Sequence, residues 1–522
     1  MDLLKTYIQV PHYKKNVSVQ ITLDNDFNVI DSKPDMERII QEKGSLNIRE
    51  IKAMQDKCLV RGTLNFSVLY VSDDGSGQMQ AMDGEIPFEE MIHMDGMEEQ
   101  DLVSVQCDME DLRAGWIHSR KINVRSIIIL HVKALRVWEE EVAKAMENKN
   151  DIWVQNKDVV MNQCIQRGKD QMRVRDEVRI PSNRPNILDI IWHQEHLENI
   201  EMKLQDGYVR VQGQLSVFAL YRDEMMENTM NDVEFVVNID GRVDMPDVTQ
   251  EMIPDIKVHM DHVNLDIRSD SDGESRKIGI EAVLALDIQI YQEERLSVLQ
   301  DIYSSKSRLI PEKTQLDVEQ LILKNKSRCA VRERIHLNRE SGRMLQLCHA
   351  RASVKIDQME MVKEGIMVEG VVYLVVLYIS SDDQKPVNST KMAVPFSYSI
   401  EAEGISENHE YDVYPSLEQL VVTMADSDEI EAKMMISLDA SVFSKTSVEV
   451  IRQIREESLD FGKLEAMPGI VGHMVKSEDT LWTLAKMYYV SPEDIKEVNG
   501  LDGEELPVGK PILIVKNMEI FK

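Results

Sequence analysis

Gly62-Thr-Leu-Asn-Phe-Ser-Val-Leu-Tyr70, Gly213-Gln-Leu-Ser-Val-Phe-Ala-Leu-Tyr221 and Gly370-Val-Val-Tyr-Leu-Val-Val-Leu-Tyr378 are three copies of one segment that superimpose without a gap. They recur after 151 and 157 residues. Alternate positions counted from the glycine are apolar: Leu64, Phe66, Val68 and Tyr70, then Leu215, Val217, Ala219 and Tyr221, then Val372, Leu374, Val376 and Tyr378. A period of two predicts a strand with one face on a core. Glycine inside a strand weakens it, so Gly62, Gly213 and Gly370 are expected where strands bend or bulge. In the third copy Val371, Tyr373, Val375 and Leu377 are apolar as well, which predicts burial on both faces, against the C-terminal module or a partner.

The surroundings repeat too. A polar turn precedes each glycine strand (Gln55-Asp-Lys57, Gln205-Asp-Gly207, Lys363-Glu-Gly365), and a short apolar element around Phe88, Phe235 or Phe396 follows it. A long alternating strand then closes each copy, at 122–132, 278–290 and 430–442. The Ser269-Asp-Ser-Asp-Gly273 group before the second of these is hairpin chemistry. The chain therefore divides into three repeated β-sandwich-like units at 1–139, 173–297 and 329–455, with connecting segments at 140–172 and 298–328. The connecting segments look related, since Asp151-Ile-Trp153 and Asp301-Ile-Tyr303 match. A linker at 456–470, with Pro468-Gly469 as its hinge, leads to a small α+β module at 471–516.

A chain of 522 residues needs several cores. Its 60 Lys and Arg against 92 Asp and Glu leave a net charge of −32, which opposes nucleic-acid binding. Five scattered cysteines, Cys58, Cys107, Cys164, Cys329 and Cys348, give neither metal-ligand spacing nor a disulfide framework, and they fit a reducing compartment. The first residues hold no signal-peptide core, and no run of about eighteen apolar residues predicts a membrane span.

The C-terminal module reads as strand, helix, helix, strand. Asp479 or Thr480 caps a first helix whose inward face is Leu481, Leu484, Ala485 and Tyr488. Ser491-Pro-Glu-Asp494 opens a second helix, Asn499-Gly500 stops it, and 511–515 alternate as the closing strand. Trp482, Met487 and Tyr489 fall off the inward face and are read as a contact surface for a partner, or as packing against a neighbouring domain.

This module resembles a LysM domain over nearly its whole length. LysM domains hold N-acetylated glycan between the loop after the first strand and the loop before the last. The resemblance therefore implies a binding site around Glu478, Asp479, Thr480, Asn499 and Leu501, beside Trp482, Met487 and Tyr489. Where the family's first loop has Gly-Asp-Thr, this chain has Glu478-Asp479-Thr480, and glutamate adds bulk and charge where a ligand approaches the backbone. The usual aromatic is His473, and the usual Gly-Gln is Gly509-Lys510.

Three repeated β units followed by a LysM domain resemble the spore-coat (SPOCS) domain proteins of spore-forming Firmicutes, including the clostridial coat morphogenetic proteins that interact with stage IV sporulation protein A. The resemblance implies a non-catalytic scaffold in the mother cell cytoplasm at the forespore surface. Its LysM would anchor to that coat-basement ATPase and its units would tether other coat proteins. The alternative is a wall-associated binder of peptidoglycan or chitin oligomers.

No catalytic, cofactor or metal constellation emerges from the residues. His193-Gln-Glu-His196 is neither His-Glu-x-x-His nor its inverse and is expected on a solvated surface. Asp270-Ser-Asp272-Gly273 fails the EF-hand register, because Arg268 takes the first ligand position, and is expected to be a turn. No phosphate loop or nucleophile elbow is present. The pairs Met225-Met226 and Met434-Met435 are expected as core filler or adaptable contact surface.

Overall fold

The structure, a computed structural model, describes residues 3–515 except 76, 147–150, 227–228, 338–341, 383, 407 and 459–467. Most of the expected linker 456–470 therefore lies outside the described residues. The first unit comprises β1 (Leu3–Asn28), β2 (Met36–Met54), β3 (Lys57–Ser72), β4 (Met79–His93), β5 (Leu102–His118) and β6 (Lys121–Met146). The second comprises β7 (Ile152–Arg179), β8 (Ile187–Gln205), β9 (Tyr208–Asp223), β10 (Met230–Asp244), β11 (Ile253–Ser269) and β12 (Ser275–Ser304). The third comprises β13 (Ser307–His336), β14 (Met344–Val362), β15 (Gly365–Ser380), β16 (Val387–Glu401), β17 (Glu410–Asp426) and β18 (Glu429–Ser458). All three share one topology of two antiparallel three-stranded sheets, β2-β3-β4 and β1-β6-β5 in the first unit and their counterparts in the others.

The repeated strand is the centre of the first of these sheets. Leu64, Phe66, Val68 and Tyr70 are buried together with Leu112, Ile122 and Val124 of the opposite sheet, so alternation along β3 fills the sandwich. Tyr70, Tyr221 and Tyr378 are buried at equivalent places, and the hydroxyls of Tyr70 and Tyr221 donate to Pro34 O (3.2 Å) and Pro185 O (3.3 Å). Beside each glycine the bulge lies in the neighbouring strand: pairing slips between Ile48 and Glu50, between Glu198 and Glu201, and between Ile356 and Gln358. The glycines admit those displaced backbones. Phe88 and Phe396 lie directly across from Gly62 and Gly370, but Ile239, not Phe235, lies across from Gly213. The aromatic residue that the sequence offered in the second unit is thus four positions early.

The first and last strands of each unit are longer than the sandwich needs. β1 and β6 pair from Leu3↔Met146 to Asn28↔Lys121, while β5 covers β6 only as far as Leu135. Beyond that point the pair is a two-stranded arm, and so are the β7/β12 and β13/β18 pairs beyond Tyr291 and Phe443. The stretches 140–172 and 298–328, expected to connect units, supply much of these arms. A lone two-stranded ribbon is marginal in water. Here the three arms pack on one another, burying Ile8, Val10 and Val142 with Val159, Met161, Leu296 and Val298 and with Leu316, Val318, Val448 and Val450. A second shared cluster joins Ala143, Met146, Leu299, Ile302, Leu309 and Ile451. Each strand gives only one or two residues to the first of these clusters, and further apolar positions of the arms go to the second, which is why their periodicity is weak in the sequence.

The sandwiches close a ring. Asn47 Nδ2 of the first unit donates to Asp261 of the second (2.8 Å), Lys326 Nζ of the third to Ile200 O of the second (3.3 Å), and Lys355 of the third pairs with Glu110 of the first. Leu69, Leu220 and Leu377 come together in one inter-unit cluster. The second apolar face of the third glycine strand is therefore covered at Leu377 by the first two units, not by the C-terminal module. Asp412 faces Lys257 of the second unit (3.5 Å) and Lys133 of the first (3.7 Å), so one carboxylate touches both neighbours.

The C-terminal module comprises β19 (Ile470–Met474), α1 (Leu481–Tyr488), α2 (Pro492–Asn499) and β20 (Pro511–Val515), with β19 and β20 antiparallel. Thr480 caps α1 in a reciprocal capping box with Thr483, and Ser491 caps α2 with Pro492 at its first position.

Candidate functional site

The C-terminal module does not stand free. Tyr303, near the end of β12, is buried in the same cluster as Leu481, Leu484, Ala485, Val490 and Ile495 of the module. Its hydroxyl donates to Val490 O (2.8 Å), its ring stacks on Trp153 (centroids 5.1 Å apart), and Trp482 meets it edge-on (5.0 Å). Burial pushes the Tyr303 phenol up, with help from Glu493 and Asp494, so the hydroxyl stays a donor. Beside it, Asp301 accepts from the Trp482 indole (3.0 Å) and from Lys486 Nζ (2.6 and 2.7 Å). Burial works to raise the Asp301 carboxyl, but Lys486 and Trp482 outweigh it and hold the group below the usual carboxylate range.

Trp153 and Tyr303 are cross-strand partners. The matching Asp151-Ile-Trp153 and Asp301-Ile-Tyr303 segments are thus the two strands of one arm, and together they form the seat. Trp482, a candidate for partner contact, is turned toward this seat with Lys486 four residues on. At Trp482 these contacts are packing against a neighbouring domain, whereas Met487 is exposed.

The other candidate residues divide in two. Asp479 Oδ2 accepts from Lys476 N (2.8 Å) and bonds His473 Nε2 (2.8 Å), and His473 Nδ1 lies 3.1 Å from the Tyr488 hydroxyl. The backbone N–H of Lys476, then His473, hold the Asp479 carboxyl low. Asn499 spans α2 and β20, donating to Ile495 O (2.8 Å) and Leu513 O (2.7 Å) while its Oδ1 accepts from Leu513 N (2.7 Å). Asp479, Thr480 and Asn499 are therefore occupied within the module. Glu478 and Met487 are exposed, and Tyr489, in left-handed backbone at φ 56°, and Leu501 are half-buried. The two loops expected to flank a glycan are bonded to each other, Gly509 N to Val475 O (2.8 Å) and Val475 N to Lys510 O (3.1 Å).

His193-Gln-Glu-His196 lies in β8 at the seam between units, not on a solvated helix-like surface. Trp192 and Gln194 are buried and His193 bonds Glu195; Trp192 packs with Ile40 of β2 and Cys348 of β14, and Lys43 of β2 donates to His193 O. Among the described residues no group of three or more His, Cys, Asp or Glu side chains is placed to hold a metal. Asp270 forms a turn, its Oδ1 accepting from Asp272 N (3.0 Å) and Glu274 N (3.2 Å). Met225 and Met226 are exposed at a loop, whereas Met434 is core. The seat itself was missed by sequence reasoning, and its only signal was the pair of Asp-Ile-aromatic segments.

The family described as SipL, SPOCS domain matches residues 35–117, 186–268 and 343–425, and the LysM domain matches 473–515. The chain is a three-repeat SPOCS protein with a C-terminal LysM domain. Each SPOCS match runs from the second to the fifth strand of a unit and leaves the arm strands outside. No curated protein and no solved structure matches the chain. SPOCS and LysM are non-catalytic, binding-type domains, and their combination points to a sporulation protein associated with the coat. Among the described residues no helix is long and apolar enough to cross a membrane.

Proposed function

We propose that this chain is a non-catalytic coat morphogenetic scaffold of the mother cell cytoplasm, which tethers coat proteins to the forespore surface and anchors through its LysM domain to the coat-basement ATPase, stage IV sporulation protein A. The observation that carries this reading is the seat. Three SPOCS units share one core through their arms, and the LysM domain is fastened to one arm by Asp301 and Tyr303. An anchor fastened in this way gives the body a set direction on the surface that it decorates. The anchor face is the part of LysM turned away from the seat, including Glu478, Met487, Tyr489 and Leu501, with Trp482 acting through docking. Glu478 favours a basic patch on the partner. A fluorescent fusion of the full chain should form a shell around the forespore in sporulating cells, and deletion of 456–522 should disperse it. Retention of the shell by the deleted chain, with its β units folded, refutes the LysM anchor.

The LysM match keeps the glycan reading as an alternative, with peptidoglycan or chitin oligomers as ligands. Glu478 at the loop and the mutual bonding of the two loops weigh against it. Full-length protein incubated with purified cell wall is expected to be retained weakly, and that retention should vanish in moderate salt. Strong retention that survives salt, and that is lost on competition with chitin oligomers, makes the glycan reading the better one.

A further inference from the structure

The contact between the second and third units includes a buried histidine stacked across the seam. His349 of β14 stacks on Phe218 of β9, with ring centroids 4.2 Å apart and planes 14° from parallel. The charged and titratable groups facing it are Arg351 on its own strand, Glu195 and His196 on β8, Glu234 on β10, and Glu42 and Lys43 on β2. Glu195 is already bonded to His193, and Glu234 Oε1 lies 3.9 Å from His349 Nδ1, beyond hydrogen-bond reach. Arg351 and Lys43 already bring positive charge, and they donate to backbone carbonyls, Glu42 O (2.9 Å) and His193 O. His196 Nε2 and Arg351 Nε are buried without a protein partner.

We propose that this seam is an acid-sensitive joint: protonation of His349 weakens the contact between the second and third units and opens the ring while each sandwich stays folded. A charged imidazole here would be desolvated, close to Arg351 and without a hydrogen-bonded counter-ion, Glu234 lying 3.9 Å away, whereas the neutral ring keeps its stack on Phe218. Burial, then Arg351, accordingly push His349 down to about 4, against Glu195, and burial lowers His196 too.

The direction follows from linkage. A base whose pKa is depressed in the closed state contributes its full stabilisation above the free value of about 6.5, and that is lost as pH falls toward 4. Glu42 and Glu234, raised by burial, act in the opposite sense, because acid relieves their desolvated charge. Paired carboxylates such as Asp412 are held low and respond only at more acidic pH. The sign of the response between pH 7.5 and 5 therefore separates the histidine from the carboxylates.

The test is hydroxyl-radical footprinting of the full chain at pH 7.5 and 5.0, normalised to an internal standard and read at the side chains of Phe218 and Trp192, which are buried at the seam and lie outside the sandwich cores. The expected result is about a thirty-fold rise in the opening equilibrium at pH 5, the ratio set by pKa values of about 4 and 6.5. Protection inside the sandwich, at 122–132, should hold. His349→Phe preserves a ring on Phe218 without a titrating group and should abolish most of the response, and His349→Gln serves as the second variant if the first misfolds. Unchanged or increased protection at pH 5 overturns the proposal, as does an equal loss in the variants.

Discussion

Replacing Tyr303 with alanine is expected to release the LysM domain from the second arm while leaving the three SPOCS units assembled. Tyr303 is only 3 % exposed, and its hydroxyl bonds Val490 O while its ring lies between Trp153 and Trp482. Truncation of a buried aromatic of this kind costs about 3–5 kcal/mol, from lost transfer energy and from the cavity left behind. The LysM core is small, and Tyr303 belongs to it, so the domain should also melt at a lower temperature once undocked. Small-angle scattering should show a larger radius of gyration, and hydrogen exchange should rise in α1. Tyr303→Phe keeps the rings and removes one hydrogen bond, for a loss of about 1 kcal/mol. Asp301→Asn should fall between the two, since it weakens the Lys486 and Trp482 contacts while keeping the shape. A Tyr303→Ala protein with unchanged radius and unchanged α1 protection would mean that the arm is not what holds the domain.

How much of this was legible in the sequence follows from the range of each interaction. The LysM domain reads correctly because its determinants are local: Thr480 and Ser491 cap within three residues, Pro492 sits at a first helical position, and Gly500 adopts φ 64° at a C-cap. The glycine strands read correctly because a period of two is strong when one face is buried. The seat was not legible, because Asp301 and Trp482 meet from 181 positions apart. An off-core aromatic on a short helix looks the same in sequence whether it awaits a partner or already has one. The arms were blurred for a related reason. Each strand gives one or two residues to one cluster shared by three units, and β6, β12, β13 and β18 add others to a second, so no single segment shows a full amphipathic pattern. His193-Gln-Glu-His196 misled because charged residues next to one another normally mean solvent. Here they lie on a strand at the seam of the ring, where His193 bonds Glu195 and Lys43 of the first unit donates to His193 O.

The bulge glycines should show a graded response to alanine, largest at Gly370, intermediate at Gly62 and smallest at Gly213. A methyl at Gly370 would sit far inside contact distance of the Lys355 carbonyl oxygen, with two Phe396 ring atoms at 2.9 Å. The carbonyl belongs to β14 just before its bulge, and moving it disturbs the β14–β15 pairing there. At Gly62 the methyl would lie 2.7 Å from Asn47 O and against the Phe88 ring, which has some freedom to turn. At Gly213 the closest atom is the end of the Ile200 side chain, and the Glu198 carbonyl stays 3.1 Å away, a tight contact that small shifts relieve. Overpacking of this kind costs about 1–3 kcal/mol and more where backbone must move. Gly370→Ala is therefore expected to lose about 3 kcal/mol or more, and Gly213→Ala about 1 kcal/mol. Because the third unit also supplies Leu316, Val318, Val448 and Val450 to the core of the arms, its failure should carry the other arms with it and lower the whole melting transition. Thermal denaturation of the three variants gives the order directly. Equal shifts at all three glycines would mean that strand propensity, and not the approach of the bulged backbone, is what these positions select for.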